Sequence, residues 1–237
     1  MNELKLSKRL EAVAALIPRG SKLADIGSDH AYLPAYSFLN GFITFAIAGE
    51  VVDGPYHTAK NQIERLQLTE KIKVRKGNGL EVVHSGEVDV ITICGMGGAL
   101  IASILEEGKD KLSNIKRLIL QPNISSISVR KWLIDNNWSL IQEEILEEDE
   151  KIYEILVAER TGNPLVSYTE GNLEKELLLG PFLSKEKNPS FIKKWTAEKK
   201  NWERILKQMK EAKVSDELLE KMDEVRKNIH FVEEEIK

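Results

Sequence analysis

Short apolar runs recur between residues 22 and 160, each followed by a stretch in which apolar positions return every three or four residues. The runs at 22–26, 42–48, 72–76, 88–93 and 118–120 are too short for helices, and several are rich in β-branched residues, so they predict strands. The intervening patterns predict helices at 32–39, 55–68, 99–106 and 126–136, with Pro55 pre-set at a first helical position. Strands that alternate with helices need crossover connections, which implies a parallel sheet covered on both faces. After the last of these helices, 138–144 and 152–159 follow one another without a helix, across the acidic stretch 146–150. They predict an antiparallel hairpin that closes the sheet.

A break at Thr161-Gly162-Asn163-Pro164 separates this α/β, Rossmann-like domain, residues 1–162, from a charged helical domain, residues 163–237. There Ser215 is placed to cap a helix, with Asp216 and Glu217 in its first turn. Leu218, Met222, Val225, Ile229, Val232 and Ile236 follow at heptad spacing. An earlier helix entered at Pro189 carries Trp195, Trp202, Ile205, Met209 and Ala212 on a matching stripe, and Lys213-Val214 forms the turn between the two. An antiparallel, coiled-coil helical hairpin is the predicted result.

With 237 residues and 42% hydrophobic content, the chain is large enough for one sizeable core and a smaller module. It contains no apolar run of membrane-spanning length and no signal-peptide pattern at Met1-Asn2-Glu3-Leu4-Lys5, so the expectation is a cytoplasmic protein without membrane association. The single cysteine, Cys94, excludes a disulfide framework and a cysteine-based zinc site, and the four histidines lack ligand spacing. No metal is expected. The net charge of −4 conceals a local asymmetry: residues 182–213 hold ten Lys or Arg against four Asp or Glu, and 214–237 hold four against eight.

In an open parallel sheet, ligands sit at the carboxyl ends of the strands where strand order reverses. Strand one ends Asp25-Ile26-Gly27-Ser28-Asp29-His30, a glycine turn that brings backbone N–H groups towards a nucleotide-like ligand. Asp29 stands where the nicotinamide-dinucleotide fingerprint requires its second glycine, and it would repel a pyrophosphate. A ligand with a cationic centre and no phosphates, such as S-adenosylmethionine, suits that carboxylate. Glu50, at the end of strand two, lies where an acidic side chain receives both ribose hydroxyls; otherwise it simply starts a loop. Gly77-Asn78-Gly79-Leu80 either meets an adenine edge through Asn78 and a backbone N–H, or forms an ordinary turn. Cys94-Gly95-Met96-Gly97-Gly98 has so little side chain that packing alone does not account for it, and Cys94 itself reads as a small hydrophobe. Strand five ends at Gln121-Pro122-Asn123, where amino-methylating enzymes carry a loop that holds the target base; a simple turn is the other reading.

These blocks, together with Ser7-Lys8-Arg9-Leu10, Ala31-Tyr32-Leu33-Pro34 and Gly49-Glu50-Val51, resemble the TrmK family of bacterial tRNA methyltransferases over essentially the whole chain. The most specific block runs from Asp25 to Pro34. Many methyltransferases have Asp where this chain has Asn78, which keeps an acceptor and loses a charge. The resemblance implies a class I methyltransferase domain followed by a coiled-coil hairpin, acting as a monomer that methylates N1 of adenosine 22 in tRNA with S-adenosylmethionine. It implies cofactor contacts from Asp25, Gly27, Ser28, Glu50, Val51, Asn78, Gly79, Cys94 and Gly95. Asp29 would lie near the transferring methyl or the adenine N6 amine, with His30 or Gln121-Pro122-Asn123 orienting the base. Met96 and Gly97 would face the substrate. Tyr32 would stack on the extruded base or else be a core tyrosine. Lys193, Lys194, Lys199, Lys200 and Arg204 would contact tRNA phosphates or else form a solvated face. The competing functions are methylation of another RNA, a small molecule or a protein, and a non-catalytic interaction protein that binds S-adenosylmethionine.

Overall fold

The structure is a computed structural model and describes residues 4–211 and 215–237. These fall into two compact units: one holds the chain up to Glu143 together with Tyr153–Val166, the other Glu144–Ile152 with Ser167–Lys237. The border between them therefore crosses the β-hairpin as well as the segment after Pro164.

In the first unit, α1 (Lys8–Ala15) starts at Ser7, whose hydroxyl accepts the Leu10 N–H. The chain then alternates through β1 (Ser21–Ile26), α2 (Tyr32–Leu39), β2 (Ile43–Glu50), α3 (Asp53–Arg65), β3 (Ile72–Lys76), β4 (Val90–Gly97), α4 (Gly98–Glu107), β5 (Arg117–Ile124) and α5 (Ser126–Asp135), ending in β6 (Ser139–Glu148) and β7 (Lys151–Glu159). The described strands form one seven-stranded sheet in the order β3-β2-β1-β4-β5-β7-β6. The strands from β3 to β5 are parallel, and β7 runs antiparallel to β5. Leu23, Ile47, Ile91 and Ile119 in the central strands are wholly buried, as a sheet covered on both faces requires. Strand order reverses between β1 and β4, which puts a crevice at their carboxyl ends.

Several boundaries differ from the sequence pattern. β4 continues through Gly97 and β5 through Ile124, so the glycine run and Gln121-Pro122-Asn123 are strand ends and not free loops. The pairing stays irregular there, with register shifts on either side of the Met96–Pro122 pair, because proline has no N–H to donate to the ladder. The hairpin turn shrinks to Asp149-Glu150, both in the left-handed region, as a two-residue type I′ turn demands.

On α5, Arg130 is wholly buried and bonds to Glu143 at 2.6 Å and Glu154 at 3.0 Å, both buried carboxylates on β6 and β7. One cation thus ties the helix to the closing hairpin.

In the second unit, α6 (Leu173–Leu179) and α7 (Leu183–Glu186) precede the long helices α8 (Pro189–Met209) and α9 (Asp216–Glu235). Asn188 caps α8 by accepting the Phe191 N–H at 3.0 Å, and its amide donates to the Ile145 carbonyl at 3.1 Å. Ser215 caps α9 through the Leu218 N–H. Ile145, Leu179, Leu183, Phe191, Trp195 and Val232 form the core of this unit. The heptad positions of α9 from Leu218 to Ile236 are all buried or half-buried, so the seam is real. Lys199 meets Glu233 at 2.7 Å, which pairs the middle of α8 with the end of α9, an antiparallel register. Ala212 and the Lys213-Val214 turn lie outside the described residues.

Replacing Arg130 with Ala would remove the cation from two buried carboxylates and should cost about 3–5 kcal/mol. Breaking the exposed Lys221–Glu217 pair should leave stability almost unchanged, because solvent screens it. Urea denaturation of both variants measures the contrast; equal, small losses would mean that the buried triad does not hold the hairpin.

Candidate active site

The end of β1 is shaped by the strand beside it. Ile26 sits opposite Gly49 in the β1–β2 ladder, and the turn that follows gives its backbone donors to β2. The N–H groups of Gly27 and Ser28 both bond to the Gly49 carbonyl, at 2.9 and 3.2 Å, and the Asp29 N–H bonds to the Glu50 carboxylate at 2.5 Å. This corrects the expectation that these donors face the ligand. Gly27 has φ +70°, a conformation that glycine adopts without strain, and a Cβ there would come within 2.3 Å of the Met96 methyl and displace it. Asp29, His30 and Ala31 follow with φ of 38°, 66° and 55°, three successive left-handed residues without a glycine among them. Such strain persists only where the surroundings impose it, and the Glu50 bond is one such restraint.

Asp25 is almost fully buried at the top of β1. Its carboxylate accepts the Ser28 and Thr92 hydroxyls, each at 2.6 Å. Burial pushes its carboxyl above the usual range; the two hydroxyls and the nearby Arg9 charge pull partly the other way. Glu50, also buried, is raised for the same reason, with the Asp29 N–H opposing. Its carboxylate keeps acceptor capacity beyond the Asp29 bond.

Across the crevice, Gln121 is wholly buried. Its Oε1 accepts from the Gly95 N–H at 3.0 Å and from the Arg9 guanidinium, while its Nε2 donates to Asn123 at 3.2 Å. Asn123 in turn donates to the Gly95 carbonyl at 2.8 Å. Gln121 therefore holds Gly95 and Arg9 in place and does not reach a base. Packing also explains part of the glycine run: a Cβ on Gly98 would lie 2.1 Å from the Ser125 carbonyl oxygen. Gly95 has φ +78°, whereas Gly97 has room for a side chain.

A cavity of about 310 Å³ opens between these strand ends. From the sequence-predicted set it is lined by Asp25 on β1, by Gly27, Ser28 and Asp29 in the turn after it, by Cys94, Gly95 and Met96 on β4, and by Asn123 on β5. Arg9, Leu10, Leu33 and Tyr153 complete it. Among the described residues Arg9 is the one cation lining the cavity, against the carboxylates of Asp25 and Asp29, so the lining suits a ligand carrying positive charge. Glu50, Val51, Asn78 and Gly79 lie outside the cavity but along the same sheet edge. Glu50 pairs with Lys76 in register, and Glu81 Oε2 accepts the Asn78 N–H at 2.9 Å. Val51 is 58% exposed there. His30 and Tyr32 stack on each other off the cavity, at 5.2 Å and 19°, and His30 Nε2 lies 3.3 Å from Asp29. Burial raises the Cys94 thiol far above its usual range.

In the second unit, Lys193 pairs with Glu147 at 2.5 Å and Lys199 with Glu233 at 2.7 Å, so two of the five residues of the expected basic face are neutralised within the chain. Lys194 lies over the Trp195 ring at 4.8 Å, and Arg204 donates to Asn201. Among the described residues no group of three His, Cys, Asp or Glu is placed to hold a metal, and no helix is long and apolar enough to cross a membrane.

Residues 23–234 match the TrmK family, described as tRNA (adenine(22)-N(1))-methyltransferase. The chain is 52% identical, over 236 residues, to the tRNA (adenine(22)-N(1))-methyltransferase of Bacillus subtilis, covering 100% of this chain and 99% of the relative. The crystal structure of the B. subtilis M1A22 tRNA methyltransferase TrmK superposes with a TM-score of 0.95 at 51% identity, over 99% of this chain and 100% of that one. Streptococcus pneumoniae Sp1610, solved in complex with S-adenosyl-L-methionine, superposes with a TM-score of 0.86 at 44% identity, over 98% of this chain and 100% of that one.

Because the folded carboxyl of Asp25 titrates above its unfolded value, its ionised form costs stability. That cost is fully present above the folded pKa and disappears as pH falls below the unfolded one. Asp25→Asn should therefore melt no lower than the parent at pH 7.5, with its relative advantage shrinking towards pH 4. A variant that melts lower at neutral pH would mean that the two hydroxyl bonds outweigh the burial.

Proposed function

The chain belongs to the TrmK family of tRNA (adenine(22)-N(1))-methyltransferases, and from that premise we propose how its own residues serve the reaction. It transfers the methyl group of S-adenosylmethionine to N1 of adenosine 22 in tRNA. When bound, S-adenosylmethionine supplies a methyl group made electrophilic by its sulfonium.

The observation that carries the assignment of residues is the composition of the strand-end cavity. Its β1 turn spends the N–H groups of Gly27, Ser28 and Asp29 on β2, and Asp25 and Asp29 line it, which suits a cation and opposes a pyrophosphate. Asp25, Gly27, Ser28, Cys94 and Gly95 would hold the cofactor in the cavity. Glu50 would receive its ribose, with Val51, Asn78 and Gly79 on the adenine side. Glu50 then has two tasks, bracing Asp29 and accepting a hydroxyl.

Adenine N1 carries an in-plane lone pair and no proton, so the enzyme needs positioning more than a strong base. Positive charge arrives on the purine as the bond forms. An acceptor placed where it arrives lowers the barrier, and Asp29 is the exposed carboxylate at the cavity. His30 orients Asp29, and Asn123 presents an amide edge to the base from its place beside Gly95. Met96 and Gly97 border the substrate side.

On the helical hairpin, Lys200 and Arg204 have no carboxylate partner among the described residues and would meet tRNA phosphates together with Lys194. Lys193 and Lys199 would exchange exposed ion pairs for phosphates at little cost. The α9 seam is covered within the chain by α8, which supports a monomer, and the tRNA substrate supports a cytoplasmic location.

Mass-spectrometric mapping of unmodified tRNA incubated with the protein and S-adenosylmethionine should find 1-methyladenosine at position 22. Asp29→Ala should lower kcat on the order of 10²-fold while cofactor affinity changes little. An unchanged kcat would remove Asp29 from the site.

A further inference from the structure

An adenine pulled out of the RNA stack loses its neighbours, so the protein that receives it does best to offer a flat surface in their place. Tyr32 does not offer one, since its ring is stacked on His30 away from the cavity. Tyr153 is the only aromatic residue among those lining the cavity.

Its position follows from the one change of direction in the first unit's sheet. β7 runs antiparallel to β5, so the beginning of β7 reaches the edge where the parallel strands end. Leu156 pairs with Leu120; continuing that register three residues along each strand would bring Tyr153 level with Asn123, and both residues line the cavity. The next residue, Glu154, points the other way, into the Arg130 triad, which fixes the face that Tyr153 presents. Arg9 lies over the Tyr153 ring with its Cζ 5.2 Å from the centroid, and the same guanidinium is held by Gln121. The ring is thus half-buried, oriented from one side, and its hydroxyl makes no hydrogen bond among the described residues.

Resting on the methyltransferase reading above, we propose that Tyr153 is the stacking wall for the target adenine: the base lies on the ring face opposite Arg9, with its edge towards Asn123 and Asp29. Arg9 and Gln121 act as positioning residues that set the angle of that wall. The ring's π-face is what matters, so phenylalanine or tryptophan should replace it and an aliphatic side chain should not.

The test compares Tyr153→Leu, Tyr153→Phe and Tyr153→Trp. For Tyr153→Leu, kcat/KM on unmodified tRNA should fall roughly 10- to 100-fold, with the melting temperature and calorimetric affinity for S-adenosylmethionine unchanged. Tyr153→Phe and Tyr153→Trp should stay within about 3-fold of the parent. A tRNA carrying 2-aminopurine at position 22, bound with S-adenosylhomocysteine, should be quenched by the parent and more strongly by Tyr153→Trp. Parent-like kcat/KM in Tyr153→Leu, or equal losses in Leu and Phe, would overturn the proposal. If Tyr153→Leu does not fold, the Trp variant decides alone, and fluorescence identical to the parent's counts against stacking. Failure of the parent itself to methylate position 22 would instead refute the underlying reading.

Discussion

The geometry of the strand-end cavity depends on how the end of β2 holds the turn after β1. The Gly49 carbonyl and the Glu50 carboxylate take the donors of Gly27, Ser28 and Asp29, and so anchor the start of a turn in which Asp29, His30 and Ala31 are all left-handed. The turn consequently presents carboxylates to the crevice in place of N–H groups. A phosphate-binding Rossmann turn does the reverse, with its donors open and its helix N-terminus facing the anion. One sheet topology therefore serves either an anionic or a cationic ligand, according to where the first few backbone donors after β1 are spent.

Opposite that turn, a second network fixes the other wall. Arg9 from α1, Gln121 and Asn123 from β5 and the Gly95 backbone from β4 hold one another through hydrogen bonds. The buried carboxylate of Asp25 sits between the two walls, raised by burial and bonded to two hydroxyls. Both walls are braced by these bonds, and Asp29 and Asn123 each keep hydrogen-bonding capacity beyond them. What stays available at the cavity is the Asp29 carboxylate, the Asn123 edge and the Tyr153 ring.

Much of this was legible in the sequence. The alternation of β-branched runs and helical periodicity located the strands of the parallel sheet, since a strand buried on both faces has no choice but to be apolar. The Asp25 to His30 turn identified itself by its glycine and its carboxylate, and the heptad spacing of α9 identified the seam. The rest depends on long-range pairing that no local pattern records. Gln121 looked like a substrate ligand because its contacts to Arg9 and Gly95 come from residues 112 and 26 positions away. Tyr153 escaped notice because an aromatic in a strand reads as core, and only the antiparallel direction of β7 brings it to the site. The lysines of α8 looked like a continuous basic face, yet Glu147 and Glu233 neutralise two of them.

On the proposed reading, the crevice between β1 and β4 receives a sulfonium cofactor through carboxylates, with the turn's donors already spent on β2. A crystal structure of the protein with S-adenosylmethionine measures it directly. The account predicts density beside Gly27, with the ribose hydroxyls on Glu50 and the Gly27, Ser28 and Asp29 N–H groups still bonded to β2. Density elsewhere, or a turn that swings its N–H groups onto the ligand, would contradict it.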